Sequence, residues 1–136
     1  MELPLLLPDA AGSCVVLFTA AAVLLRDWTL RRQGREGDLP RFRLWYMERP
    51  VFIMSGVLLA LGLVLSSRAG TAVGHMGLLC HGAGYWMMAL QGLACICFKM
   101  QEGGASNRRC VVICALLTVF ASLIPVAVGT FDNLLD

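Results

Sequence analysis

The residue of this chain with the widest chemical scope is His81, which lies in the middle of a long apolar stretch. An ionisable side chain near the midplane of a membrane helix is a candidate functional group by default. Its neutral imidazole could ligate haem iron, relay a proton or contact a quinone. A haem held by this chain alone would need a second histidine facing His81, and the other apolar stretches contain none. We therefore predict no metal site. A haem or quinone enzyme using His81, for redox chemistry or lipid modification, stays as an alternative in which a partner subunit supplies the second ligand.

His81 belongs to a stripe of residues that recurs at spacings of three and four along the chain. Residues at these spacings share one face of a helix. Small residues on such a face let another helix approach closely, and polar side chains in lipid hydrogen-bond across helices. We therefore predict a helix-packing face made of Gly74, Gly77, His81, Gly84, Met88, Gln91 and Cys95.

A second candidate site is the run from residue 41 to residue 49, in which basic and aromatic residues alternate. Trp and Tyr concentrate at the membrane interface, and nearby arginines attract anionic headgroups. We predict that this run binds phospholipid headgroups, including those of anionic phospholipids, through Arg41, Arg43, Trp45 and Arg49. Bases confined to loops in this way give no reason to expect nucleic-acid binding.

The composition indicates a membrane protein that holds both sites on α-helices. The chain is 58% hydrophobic and 15% charged, with a mean hydropathy of +0.74. Soluble domains are about a quarter charged. The length accommodates four helices of about 20 residues. We predict a single all-α domain, with spans at about 10–28, 50–67, 71–98 and 110–130 and basic loops at 29–49 and 99–109.

The distribution of basic residues predicts the topology. Ten of the eleven Lys and Arg residues lie in 26–49 and 99–109, and Arg68 is the eleventh. Basic loops of membrane proteins stay on the side from which insertion occurs. Four spans place both basic loops on that side and both termini on the other, as an up-down bundle. Pro125 is expected to kink the last span.

The leading functional hypothesis is a non-catalytic accessory subunit of a larger membrane complex. The chain is small, and its span interiors lack the buried carboxylate that coupled transporters normally use. Other membrane subunits and lipids are the expected partners. A respiratory-type assembly of the mitochondrial inner membrane is favoured, and a four-span trafficking or scaffold protein of the secretory pathway is the alternative.

Overall fold

The computed structural model describes residues 3–35, 42–68 and 70–135. Within these ranges the chain is helical and contains no β-strand, so the all-α prediction is confirmed. The helices are α1 (Leu3–Arg32), α2 (Arg49–Ser66), α3 (Ala72–Glu102), α4 (Asn107–Phe120) and α5 (Leu123–Leu135), with a short 3-10 helix at Phe42–Leu44.

The end of α1 extends into the stretch predicted as the first basic loop. Arg31 and Arg32 occupy its last turn. The Arg31 Nε atom donates to Asp27 Oδ2 at 2.7 Å, and the Arg32 guanidinium lies 5.0 Å from the centroid of the Trp28 ring. Positive charge is stabilising at a helix C-terminus because the last carbonyls carry partial negative charge. The arginines therefore extend the helix by about one turn beyond the predicted span.

The chain divides into two compact units. The first comprises Met1–Arg26 and Pro50–Met87, and the second comprises Asp27–Arg49 and Met88–Asp136. The α3 helix contributes its first half to one unit and its second half to the other.

In the first unit, glycines allow helix backbones to touch. A Cβ atom on Gly12 of α1 would clash with the carbonyl oxygen of Leu79 in α3. A Cβ atom on Gly62 of α2 would lie 2.5 Å from the backbone nitrogen of His81. A side chain at either position would therefore push α1 or α2 away from α3.

A tight turn joins α2 to α3 in the same unit. Gly70 adopts a φ of 79°, in the left-handed region that favours glycine. The Thr71 hydroxyl then accepts a hydrogen bond from the Gly74 backbone N–H at 3.1 Å. This contact satisfies one of the amides that a helix start leaves without an intrahelical partner.

In the second unit, α4 runs back along the end of α3. The Ser106 hydroxyl caps α4 by accepting from the Arg109 backbone N–H at 3.5 Å. Farther along α4, the Cys114 Sγ atom lies 4.0 Å from the Leu93 carbonyl oxygen. The helices are therefore antiparallel neighbours.

The predicted fourth span consists of two helices. The α4 helix ends at Phe120, α5 begins at Leu123, and the pair is bent by 110°. Pro125 is the third residue of α5, where its missing N–H costs no helical hydrogen bond. A continuous helix would instead bring the proline ring against the carbonyl of Ala121. The helix is therefore broken before the proline and not kinked at it, which corrects the sequence prediction.

The described residues contain two helices long and apolar enough to cross a membrane. They are α1 over Ala10–Arg32 and α2 over Arg49–Ser66. In each helix, 11% of the most apolar 18-residue segment is buried. The bent α4–α5 pair would make a third if it were one span. The α3 helix has sufficient length at 31 residues, but its glycines and polar residues lower its hydropathy. The predicted count of four spans is therefore not confirmed.

The contact between α3 and α5 gives a stability prediction. A Cβ atom on Gly92 of α3 would clash with the Pro125 carbonyl oxygen. We expect Gly92→Ala to lower the free energy of unfolding by about 1–3 kcal/mol, since overpacking outweighs the better helix propensity of alanine. Thermal unfolding of the purified protein in detergent, followed by circular dichroism, measures the change.

The matched control for this substitution is Gly103→Ala. A Cβ atom on Gly103 would lie 3.4 Å from the Met100 carbonyl oxygen, at ordinary contact distance. We expect little change in Tm for this variant. Equal Tm values for the two variants would contradict the close packing of α5 on α3.

Candidate ligand cavity

A cavity of about 290 Å³ lies in the second unit, between the segment after α1, the end of α3, and α5. Its volume is near the lower end of the roughly 300–1,000 Å³ typical of small-molecule sites. Gln91 is buried, Cys95 and Asp132 are half-buried, and four lining residues from Leu44 to Lys99 are exposed. The lining consists of Arg43, Leu44, Trp45, Tyr46, Gln91, Cys95, Phe98, Lys99 and Asp132.

The carboxylate of this cavity is Asp132, near the end of α5. It accepts a hydrogen bond from Gln91 Nε2 at 3.2 Å, and its other oxygen lies 3.5 Å from Cys95 Sγ. Both partners are on one face of α3, since they are four residues apart. The acid is therefore held against α3 by two uncharged groups.

Close packing of α5 on α3 brings Asp132 to this position. A Cβ atom on Gly129 would lie 2.5 Å from the Met88 carbonyl oxygen. The Thr130 hydroxyl lies 3.6 Å from Met88 Sδ and donates to the Val126 carbonyl one turn earlier, at 2.8 Å. Only a small residue at 129 permits this approach, and Asp132 follows it by three residues on the same face.

Arg43 is positioned by the 3-10 helix in which it lies and by the last turn of α3. Its 3-10 helix is followed by Trp45, whose ring packs edge-on against Phe42 with centroids 5.2 Å apart. The Arg43 Nη1 atom donates to Gln101 Oε1 at 2.9 Å, and Gln101 Nε2 donates to Asn107 Oδ1 at 2.7 Å. The side-chain amide of Gln101 therefore links the guanidinium to the start of α4.

The Arg43 guanidinium keeps unused donor capacity. Its Nε atom is buried and has no hydrogen-bond partner among the described residues. A buried donor without a partner costs about 1–3 kcal/mol.

The second cation of the cavity is Lys99, at its exposed edge. The Lys99 side chain is 71% exposed, and its Nζ lies 3.3 Å from Glu102 Oε2. Within the described parts of the chain, neither Lys99 nor Arg43 forms an ion pair with Asp132. The cavity thus presents two cations and a carboxylate that are not paired with one another.

This cavity brings together parts of both predicted sites. Gln91 and Cys95 come from the predicted packing stripe, and Arg43 and Trp45 come from the basic-aromatic run. Arg49 is exposed at the start of α2 and does not line the cavity. Arg41 lies outside the described residues.

The remainder of the predicted stripe lies elsewhere. Gly74, Gly77, His81 and Gly84 belong to the first unit, and Met88 packs on Thr130. A Cβ atom on Gly77 would lie 2.6 Å from the Ser66 backbone nitrogen, and one on Gly84 would lie 2.8 Å from the Ser55 carbonyl oxygen. These glycines are contact points for α2.

His81 is placed against α2 and not at the cavity. Its backbone packs on Gly62, and its ring centroid lies 6.2 Å from that of Tyr85. Among the described residues, no group of three His, Cys, Asp or Glu side chains is arranged to hold a metal ion.

Five residues of the cavity were missed by the sequence reasoning: Leu44, Tyr46, Phe98, Lys99 and Asp132. A single last span would carry Asp132 to the side opposite Lys99. The available signals were Pro125, which interrupts the helix, and Gly129, which follows it at a spacing of four. Together they mark a short helix that can approach another backbone.

Comparison with known proteins then establishes the class. A family model described as a predicted membrane protein (DUF2232) matches residues 3–133. The chain belongs to this family. No curated protein and no solved structure matches it. Family membership and the apolar helices agree in making this an integral membrane protein with helical spans.

Proposed function

We propose that this chain is a non-catalytic, multi-pass membrane protein that binds a phospholipid headgroup in its cavity and works as an accessory subunit of a larger membrane assembly. The observation that carries the proposal is the meeting of Arg43, Lys99 and three aromatic residues at one cavity. Arginine suits phosphate because its planar guanidinium can donate two parallel hydrogen bonds.

The lining supports a lipid as the source of that phosphate. The lining includes Trp45 and Tyr46, residue types that favour the membrane interface, and Leu44 and Phe98 add exposed apolar surface beside them. A headgroup in the cavity would leave its acyl chains along this apolar edge. The Arg43 guanidinium lines the cavity, and its terminal N–H groups can donate to a phosphate oxygen.

For the topology, we propose that α1 and α2 cross the membrane, that α3 crosses with them because its 31 residues exceed the length that a span needs, and that α4 and α5 form a re-entrant pair. This topology differs from the sequence prediction, in which four spans place both termini on the side of the membrane opposite the basic loops. Pro125 and Asp132, seven residues apart on α5, both contact the short stretch of α3 from 91 to 95. Because both ends of α5 contact the same short stretch of α3, α5 lies across α3 and does not continue to the opposite side of the membrane. Both basic loops stay on one side, and the end of α5 joins them.

For the setting, we propose the mitochondrial inner membrane, with the secretory pathway as the alternative. The support is the two apolar helices with little buried surface, which suit packing among other membrane subunits. We expect the native protein to co-migrate with a large complex on native gels of gently solubilised mitochondria. A stable monomer in those gels, or recovery in secretory membranes, would count against this assignment.

The headgroup proposal is tested with Arg43→Gln. We expect this variant to lose about fivefold in co-purified phospholipid, since a hydrogen bond from the cavity guanidinium to the phosphate contributes about 1 kcal/mol. Native mass spectrometry of the full chain released from nanodiscs counts the lipid adducts.

Arg49→Gln is the matched control, because Arg49 carries the same charge in the same basic stretch but does not line the cavity. It should keep the wild-type adducts. An equal loss in both variants would indicate general surface attraction and would remove the cavity from the proposal.

A further inference from the structure

Asp132 is the unexpected member of a cavity that otherwise suits an anion. Its carboxylate is half-buried, and the hydrogen-bond donors that it meets are the Gln91 amide and the Cys95 thiol. An ionised carboxylate offers about four acceptor positions. Two neutral donors leave acceptor capacity on the side that lines the cavity.

The two cations do not neutralise this carboxylate. Arg43 is hydrogen-bonded to Gln101, and Lys99 is paired with Glu102. A ligand with only negative charge would gain from these cations but would be repelled by Asp132. A ligand with both charges would gain at each end.

We propose that the cavity takes a phosphate ester that carries a primary ammonium, as in an ethanolamine headgroup, with the phosphate on Arg43 and Lys99 and the ammonium on Asp132. This inference rests on the headgroup binding proposed above and adds its selectivity. The ammonium has three N–H donors for the free acceptor positions of Asp132. A trimethylammonium group has no N–H donor, so a choline headgroup gains less there.

The size of the cavity agrees with this ligand. A volume of about 290 Å³ is near the lower end of small-molecule sites and accommodates a phosphoethanolamine group. The same chemistry occurs in a membrane phospholipid and in soluble phosphoethanolamine, so the experiment includes both sources.

The test uses the full chain in nanodiscs with equal parts of ethanolamine, choline and glycerol phospholipids. Native mass spectrometry gives the ratio of retained ethanolamine to glycerol lipid. We expect a ratio on the order of fivefold for wild type, in the range of a partly exposed ion pair. Asp132→Asn should bring the ratio close to one, and Asp132→Glu should preserve the preference.

Two control variants distinguish the ethanolamine selectivity from the headgroup binding on which it rests. Asp27→Asn removes an acid of the same unit that is paired with Arg31 outside the cavity, and it should leave the ratio unchanged. Arg43→Gln should reduce all adducts. If Arg43→Gln has no effect, headgroup binding itself fails. If it has its effect but Asp132→Asn keeps the wild-type ratio, only the ethanolamine selectivity fails.

The two sources are separated by adding soluble phosphoethanolamine to the loaded nanodiscs. If soluble phosphoethanolamine displaces the lipid, the cavity binds the soluble compound by the same headgroup chemistry. If the lipid is not displaced and the ratio is preserved, the ligand is the membrane phospholipid. A wild-type preference for glycerol or choline lipid would overturn the inference. If Asp132→Asn does not fold, Asp132→Glu provides the test. A folded Asp132→Glu protein that retains Arg43-dependent adducts but loses the ethanolamine preference would contradict the inference.

Discussion

Contact between helix backbones along α3 is the constraint on which the rest of this structure depends. In hydrocarbon, polar groups must find partners within the protein, because no water replaces them. The α3 helix carries two histidines, two glutamines and five glycines, so it is the helix that most needs protein around it. Glycines at 12, 62 and 92 let α1, α2 and α5 approach it to distances at which a Cβ atom would clash.

The cavity follows from that constraint in the second unit. Pro125 cannot continue α4, and the close approach of Gly92 and Gly129 then sets α5 across α3. Asp132 arrives beside Gln91 as a result. The position of the carboxylate is thus a consequence of helix packing. The binding chemistry proposed for it depends on the close helix contacts at Gly92 and Gly129.

Much of the helical pattern could be predicted from the sequence, and the cavity only in part. Apolar runs identify α1 and α2, and the short turn near Gly70 separates α2 from α3. The spacing of Gln91 and Cys95 places them on one face, where both meet Asp132. The break before Pro125 was not predicted, because a proline in an apolar run is compatible with a kink as well as a break. The pairing of the loop residue Arg43 with Gln101 is a tertiary contact with no local signal.

The most direct measurement of this account is a disulfide cross-link between native Cys95 and Asp132→Cys in membranes. The two side chains are in contact, with 3.5 Å between Cys95 Sγ and Asp132 Oδ1. Oxidation with copper phenanthroline and mapping by mass spectrometry should give a linked peptide that is absent when Cys95 is replaced by Ser. A straight last helix would carry residue 132 about 27 Å beyond Cys114, which lies opposite Leu93. Failure to form the link in a folded protein would contradict the placement of α5 and the cavity built on it.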